Sequence, residues 1–191
     1  MKGGKLQIGI IGCGGIANGK HMPALAKLSE LCTMAAFCDI VEERAVKAKS
    51  EYGTPDSKVY TDYKKLLEDD SIDVVHVLTP NVLHCPITVD AFAAGKHVMS
   101  EKPMASTSAD AQKMLQAWKK SGKQFTIGYQ NRFRPEVQAL HTACENGELG
   151  ISIMPRRMPC AAARFPPGGY SPTKRCRAAG RSLISARMRW T

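Results

Sequence analysis

The chain has 191 residues, enough for one well-buried domain with a remainder too small for a second. Its formal net charge is +10, but residues 151–191 hold eight Arg, one Lys and no acid, so the preceding 18 basic residues face 17 acidic ones. The basicity belongs to the tail and is no evidence that the body binds nucleic acid. No apolar run approaches the roughly 20 residues that span a bilayer. The first residues lack the long apolar core and cleavage site of a signal peptide. The seven cysteines are odd in number and scattered, with no C-x-x-C pair. Reduced thiols in a cytoplasmic protein is the plain reading.

Strand and helix signals alternate along the body. Leu6–Ile11 is a short Ile-rich run that ends in glycines, and Cys32–Cys38 is a second run that ends at Asp39. Glu42–Tyr52 reads as a helix with Ala45, Val46 and Ala48 on one side and Gly53 as its stop. Thr61 caps a short helix that ends near Leu67. Asp73–Leu78 is β-branched and apolar, as a strand buried on both faces should be. Asn81–Ala94 follows as a helix, with Pro86 in its opening turns and Gly95 as its stop. His97–Met99 is a strand. Ser106 or Thr107 caps a helix that runs to Lys120 and stops at Gly122. Gln124–Gly128 is a last strand and Pro135–Glu145 a last helix. Repeated strand–helix units predict a doubly wound parallel α/β sheet of the Rossmann type over residues 1–150.

Within this pattern Gly12-Cys13-Gly14-Gly15-Ile16-Ala17 fits G-x-G-x-x-G/A after the first strand. Gly12 permits the tight turn, Gly14 lets a pyrophosphate approach the backbone, and Ala17 lets the next helix pack closely. Gly15 and Ile16 complete the turn, and the following N–H groups face the phosphates. Asp39, at the end of the second strand, can accept hydrogen bonds from ribose hydroxyls and repel a 2′-phosphate. These residues predict a nicotinamide dinucleotide site that favours NAD over NADP. Arg44 reads as a solvated helix residue. His76 reads as a core histidine inside a strand, His21 as packing beside the turn, and Trp118 as core. His, Cys and acid spacing yields no metal site.

Four ordered motifs extend the argument. The stretch Asp73-Val-Val-His-Val-Leu-Thr-Pro-Asn81 leads to His84. Ala93-Ala-Gly-Lys-His-Val98 precedes Glu101-Lys102-Pro103, and Gly128-Tyr-Gln-Asn-Arg-Phe-Arg-Pro135 comes later. Together with the glycine turn they resemble the signatures of the Gfo/Idh/MocA oxidoreductase family, over residues 6 to about 150. The resemblance implies hydride transfer between a sugar or polyol and a nicotinamide cofactor. It places Thr79, Pro80 and Asn81 along the cofactor crevice and Glu101 and Lys102 beside the nicotinamide. It makes Lys102 the catalytic residue that polarises the substrate oxygen. An ammonium there stabilises a developing alkoxide. His84 has two open readings: contact on the nicotinamide side, or packing at a helix start. Asn131 and Arg132 likewise border cofactor or substrate, or form only a strand-to-helix corner.

After Gly150 acids vanish and periodicity fails. The family continues with a second α/β domain that covers the site and forms oligomers; here a basic tail stands in its place. Residues 151–191 are read as a displaced frame. A back-translation shifted by one nucleotide gives GDIYYA, WGVFTNK and QGGGPLIDIGTHALD in order. The last resembles the family's D-x-G-x-H signature, which supplies its remaining catalytic acid and histidine. The expectation is a non-native, disordered tail on a catalytically incomplete oxidoreductase fragment. The alternative is a non-catalytic dinucleotide-binding protein or remnant.

Overall fold

Leu6–Ile11 forms β1, and its buried residues Ile8, Ile10 and Ile11 place it at the centre of a six-stranded parallel sheet. The structure, a computed structural model, describes residues 4–148. Within them residues 4–128 form one compact body and residues 129–148 a second. The expectations for the tail lie outside the described residues.

In the first body β1 pairs with β2 (Cys32–Cys38) on one side and β4 (Val74–Val77) on the other. β3 (Lys58–Tyr60) flanks β2, and β5 (His97–Ser100) and β6 (Phe125–Ile127) extend the far side. The order β3-β2-β1-β4-β5-β6 reverses between β1 and β4. In such sheets ligands bind in the crevice at the carboxyl ends of the strands beside this reversal.

Period-2 burial explains the two-sided core. Ile8, Ile10 and Phe37 pack with Ala17, Met22, Ala45 and Ala48 on one face. Ile11, Val75, Val77 and Val98 pack with Leu66, Ile87, Ala91 and Phe92 on the other. Each fully buried large aliphatic or aromatic side chain contributes about 1.5–3 kcal/mol of transfer free energy. The covering helices are α1 (Met22–Ala26), α2 (Glu42–Tyr52), α3 (Tyr63–Leu67), α4 (His84–Ala93) and α5 (Ser108–Ser121). Thr107 caps α5 by accepting from Asp110 N, and Gly122 ends it at φ +66°. Trp118 packs with Phe92 and Phe125 in the core, as expected, and donates its indole N–H to Lys123 O at 2.8 Å.

Four details differ from the sequence reading. Asp62, not Thr61, caps α3, because its carboxylate accepts from Lys64 N at 2.9 Å. Val46 is 49% exposed while Ala45 and Ala48 are buried, so the buried stripe of α2 is narrower than expected. Asn81–Leu83 is a 3₁₀ turn, and α4 starts only at His84. β3 was not anticipated. In the second body a 3₁₀ turn, Gln130–Phe133, precedes α6 (Pro135–Glu145), which has proline at its tolerated first position.

Candidate dinucleotide-binding site

The glycine turn is built from β1 outward. Gly12 adopts φ +95°, and a Cβ there would stand 2.8 Å from Leu78 O and 3.2 Å from Thr79 N. Only glycine fits, because the turn after β1 lies directly on the backbone leaving β4. Gly12 N donates to Cys38 O at 2.8 Å, which also ties the turn to β2. By contrast, a Cβ at Gly14 or Gly15 would meet nothing within 4 Å. Their missing side chains leave open space, which is what a pyrophosphate lying on the backbone requires.

The turn is anchored from below. Asn18 Nδ2 donates to Cys13 O at 2.8 Å and to Gly14 O at 2.9 Å. Ala17 is fully buried and seats the short π-helical segment Ala17–His21 against the sheet. Ile16, 38% exposed, stays at the surface of the turn.

Asp39 is buried at the end of β2. Its Oδ2 accepts the Cys13 N–H at 2.9 Å and its Oδ1 the Val41 N–H at 2.9 Å. A carboxylate has about four acceptor positions, so two bonds leave capacity for ribose hydroxyls. Arg44 Nη1 stands 3.8 Å from Asp39 Oδ1, with its side chain largely exposed. Burial, and then the charge of Asp39, pushes the Cys13 thiol up to about 12; burial and the same charge do likewise for Cys38. Both stay protonated, so the cysteine inside the turn is no nucleophile.

Thr79, Pro80 and Asn81 follow β4. Thr79 Oγ1 is buried without a hydrogen-bond partner, and Pro80 and Asn81 are exposed. An orphaned hydroxyl beside a glycine cradle fits a ligand with polar groups in the crevice. Glu101 and Lys102 follow β5. Glu101 is buried; its Oε2 accepts the Lys102 N–H at 2.9 Å and its Oε1 lies 2.9 Å from His21 Nε2. Lys102 is exposed. His21 therefore does more than pack: it joins the segment after the glycine turn to the turn bearing Lys102. His76 meets His21 edge to face at 5.8 Å, and burial, with His21 beside it, lowers its pKa to about 4.

His84 is 1% exposed, with Nδ1 2.7 Å from Pro103 O and Nε2 2.9 Å from Thr79 O. Both ring nitrogens are thus engaged with the main chain. The structure joins the glycine turn, Asp39, Thr79, His84, Glu101 and Lys102 through direct contacts in one body. Asn131 and Arg132 sit in the 3₁₀ turn of the second body, where Arg132 stacks over Tyr129 at 5.7 Å from the ring centre. The Asp39–Cys13 and His21–Glu101 bonds were missed by sequence reasoning. Among the described residues no helix is long and apolar enough to cross a membrane, and no His, Cys, Asp or Glu group could hold a metal ion.

The profile of the oxidoreductase family with an NAD-binding Rossmann fold, Gfo/Idh/MocA, matches residues 6–129. Inositol 2-dehydrogenase of Salmonella typhimurium strain LT2 is 35% identical over 150 residues, covering 78% of this chain and 44% of that protein. Similar solved structures include two with a bound nicotinamide cofactor. One is the WlbA dehydrogenase from Bordetella pertussis in complex with NADH and UDP-GlcNAcA, at TM-score 0.72 and 29% identity, covering 76% of this chain and 43% of that one. The other is KijD10, a 3-ketoreductase from Actinomadura kijaniata in complex with NADP and TDP-benzene, at TM-score 0.68 and 26% identity, covering 75% and 43%. The chain spans about 44% of the length of the inositol dehydrogenases it matches.

Proposed function

Because the chain belongs to the Gfo/Idh/MocA oxidoreductase family, we propose that its body binds NAD in the crevice between the glycine turn and the ends of β4 and β5. The observation that carries this reading is the bond from Cys13 N to Asp39 Oδ2. It makes the phosphate turn and the ribose-binding acid one preformed piece. Open backbone at Gly14 and Gly15 receives the pyrophosphate, and Asp39 takes the ribose hydroxyls. The Asp39 carboxylate repels a 2′-phosphate and favours NAD, while Arg44 beside it is the group that NADP would recruit. Thr79, Pro80 and Asn81 wall the crevice, and His84 and Glu101 brace it.

A nicotinamide cofactor held in this crevice by the glycine turn and Asp39 would supply the hydride chemistry. Lys102 holds and polarises the oxygen of a sugar or polyol, since a cation beside a developing alkoxide lowers the barrier. A full acid–base site contributes about a hundred- to ten-thousand-fold in rate. The family's further acid and histidine have no counterpart matched in residues 1–150, and residues 151–191 represent a displaced frame. We therefore expect the chain to bind NAD in a cytoplasmic setting and to turn over sugars and polyols poorly. Dinucleotide binding without any turnover is the second reading.

Fluorescence titration with NADH and NADPH tests the binding, and tighter NADPH binding would overturn the NAD preference. NADH production over a panel of sugars and polyols tests the chemistry. The comparison is between this chain and a version read in the neighbouring frame from Gly150 onward, with its downstream coding sequence. Substantial Lys102-dependent turnover by the short chain would refute its incompleteness.

A further inference from the structure

Of the four asparagines in the chain, two are followed by glycine: Asn18-Gly19, just past the glycine turn, and Asn146-Gly147, after α6. An asparagine before glycine is the dipeptide most open to attack on its own side chain. With no side chain on the next residue, that residue's peptide nitrogen reaches Cγ unhindered. At Asn18 the surroundings leave room for this. Gly19 is exposed, and a Cβ there would meet nothing within 4 Å. The segment Ala17–His21 is five residues long and has no side-chain cap at its start. A helical segment this short opens locally at small cost, because few hydrogen bonds hold it. Both amide hydrogens of Asn18 are spent on the turn, on Cys13 O at 2.8 Å and Gly14 O at 2.9 Å.

We infer that Asn18-Gly19 is a site of spontaneous deamidation, that its conversion unhooks the glycine turn, and that a dinucleotide seated on the turn protects it. The reaction takes up only water. The Gly19 peptide nitrogen loses its proton to hydroxide and bonds to Asn18 Cγ; the Cγ–Nδ2 bond breaks, and Nδ2 leaves as ammonia. Water then opens the cyclic imide at either carbonyl and leaves an aspartyl or an isoaspartyl residue. The lost Nδ2 carried both donors that hold Cys13 O and Gly14 O. An ionised carboxylate in its place only accepts, so it faces two carbonyl oxygens with like partial charge. It also sets a negative charge beneath the open backbone of Gly14 and Gly15, where a pyrophosphate would lie. Attack requires the Asn18 side chain to leave both carbonyls and the segment to rotate out of its helical form. A ligand that binds only the closed turn therefore slows the reaction in proportion to the closed population. This protection rests on the function proposed above; the conversion itself does not.

Ageing of the full chain in mildly alkaline buffer, with and without NADH, tests the inference. Peptide mapping follows the deamidated mass and isoaspartate at Asn18, with the exposed Asn146 as internal reference. Asn18 should be converted in the free chain, and NADH at about ten times its Kd should slow that conversion about tenfold. Asn146 should be converted equally fast in both samples. The fraction converted at Asn18, separated by its extra negative charge, should bind NADH about tenfold more weakly, the scale of two net hydrogen bonds. Asn18→Asp should match it. The converted fraction is made from folded chain, so its affinity is read even if that variant fails to fold. An Asn18 still intact once Asn146 has been converted would overturn the inference. So would equal rates with and without NADH in a chain that binds it, or unchanged affinity in the converted fraction. If the fresh chain binds no NADH, the dinucleotide reading falls. Conversion at Asn18 with a lowered Tm in the converted fraction would then uphold the modification, and the lack of either would overturn it.

Discussion

Asp39 Oδ2 accepts the peptide N–H of Cys13 at 2.9 Å, which joins the end of β2 to the turn after β1. Asp39 Oδ1 accepts the Val41 N–H at the same distance. The acid proposed above to read the ribose is therefore also a strut of the glycine turn. Asp39→Asn keeps the shape but replaces one acceptor oxygen with a donor. Stability should fall by about 1–3 kcal/mol, the cost of an unsatisfied buried group. NADH affinity should fall by about tenfold or more, near 1.4 kcal/mol. NADPH should lose less, because its phosphate no longer meets a carboxylate. Urea unfolding and fluorescence titration check both. A variant that binds NADPH as tightly as the parent binds NADH would show that the turn is held without Asp39.

Gly12 and Gly14 share a motif and should fail differently. Gly12→Ala puts a Cβ 2.8 Å from Leu78 O at φ +95°, so it should destabilise the fold by about 1–3 kcal/mol or more. Gly14→Val meets no protein atom within 4 Å of its Cβ, so it should fold with stability within about 1 kcal/mol of the parent. It should nevertheless lose NADH binding, because the side chain fills the space left for the pyrophosphate. Thermal melts beside titrations separate the two. A Gly14→Val chain with unchanged affinity would displace the cofactor from this turn.

The His21–Glu101 contact predicts energetic coupling across 80 positions. Single His21→Ala and Glu101→Gln variants and their double mutant form a thermodynamic cycle. An interaction energy of about 0.5–3 kcal/mol is expected for residues in direct contact. Additive effects in urea unfolding would mean that the 2.9 Å contact contributes nothing to stability.

His76 makes stability depend on acid. Burial, and then His21, lowers its folded pKa from 6.5 to about 4. Between those values the unfolded chain binds the proton more readily, so stability falls as pH is lowered from 6.5 toward 4. Above pH 6.5 the contribution is constant. By pH 5 the loss from this group is about 2 kcal/mol at 1.36 kcal/mol per pKa unit. His76→Leu should remove that part of the pH slope in urea unfolding measured at pH 7 and pH 5. A parallel offset at both pH values would mean that His76 does not titrate in this window.

Much of this was legible because apolar period and chain-breaking residues are local signals. Leu6–Ile11, Cys32–Cys38, Glu42–Tyr52 and Pro135–Glu145 were read with the bounds the structure gives them. β3 was not, since the three edge residues Lys58–Tyr60 are too few to show a period and none is fully buried. The glycine turn was legible because the turn after β1 demands glycine at Gly12, whereas Asp39 stood out only as an acid closing an apolar strand, and its bond to Cys13 N was not legible. What could not be read was how the site residues are held. His21 and Glu101, or His84 and Pro103, meet only once the sheet is assembled. A single signal was available for Glu101: a carboxylate beside the apolar strand His97–Ser100 has to find donors when buried.

The pairing of β1 with β4 has a kinetic consequence. Gln7 N donates to Asp73 Oδ2, a contact across 66 positions, and β1 gains its second neighbour only when Val74–Val77 arrives. During synthesis the first strand must therefore wait, half paired, until well past residue 77 has left the ribosome. Closing so long a loop is slow compared with forming the flanking helices, because its entropy is lost before the contact is gained. The β1–β4 seam, which creates the crevice, is thus expected to be the late event in folding. A nascent chain halted before Val77 would expose an unpaired edge of β1, a surface on which chaperone binding or aggregation begins.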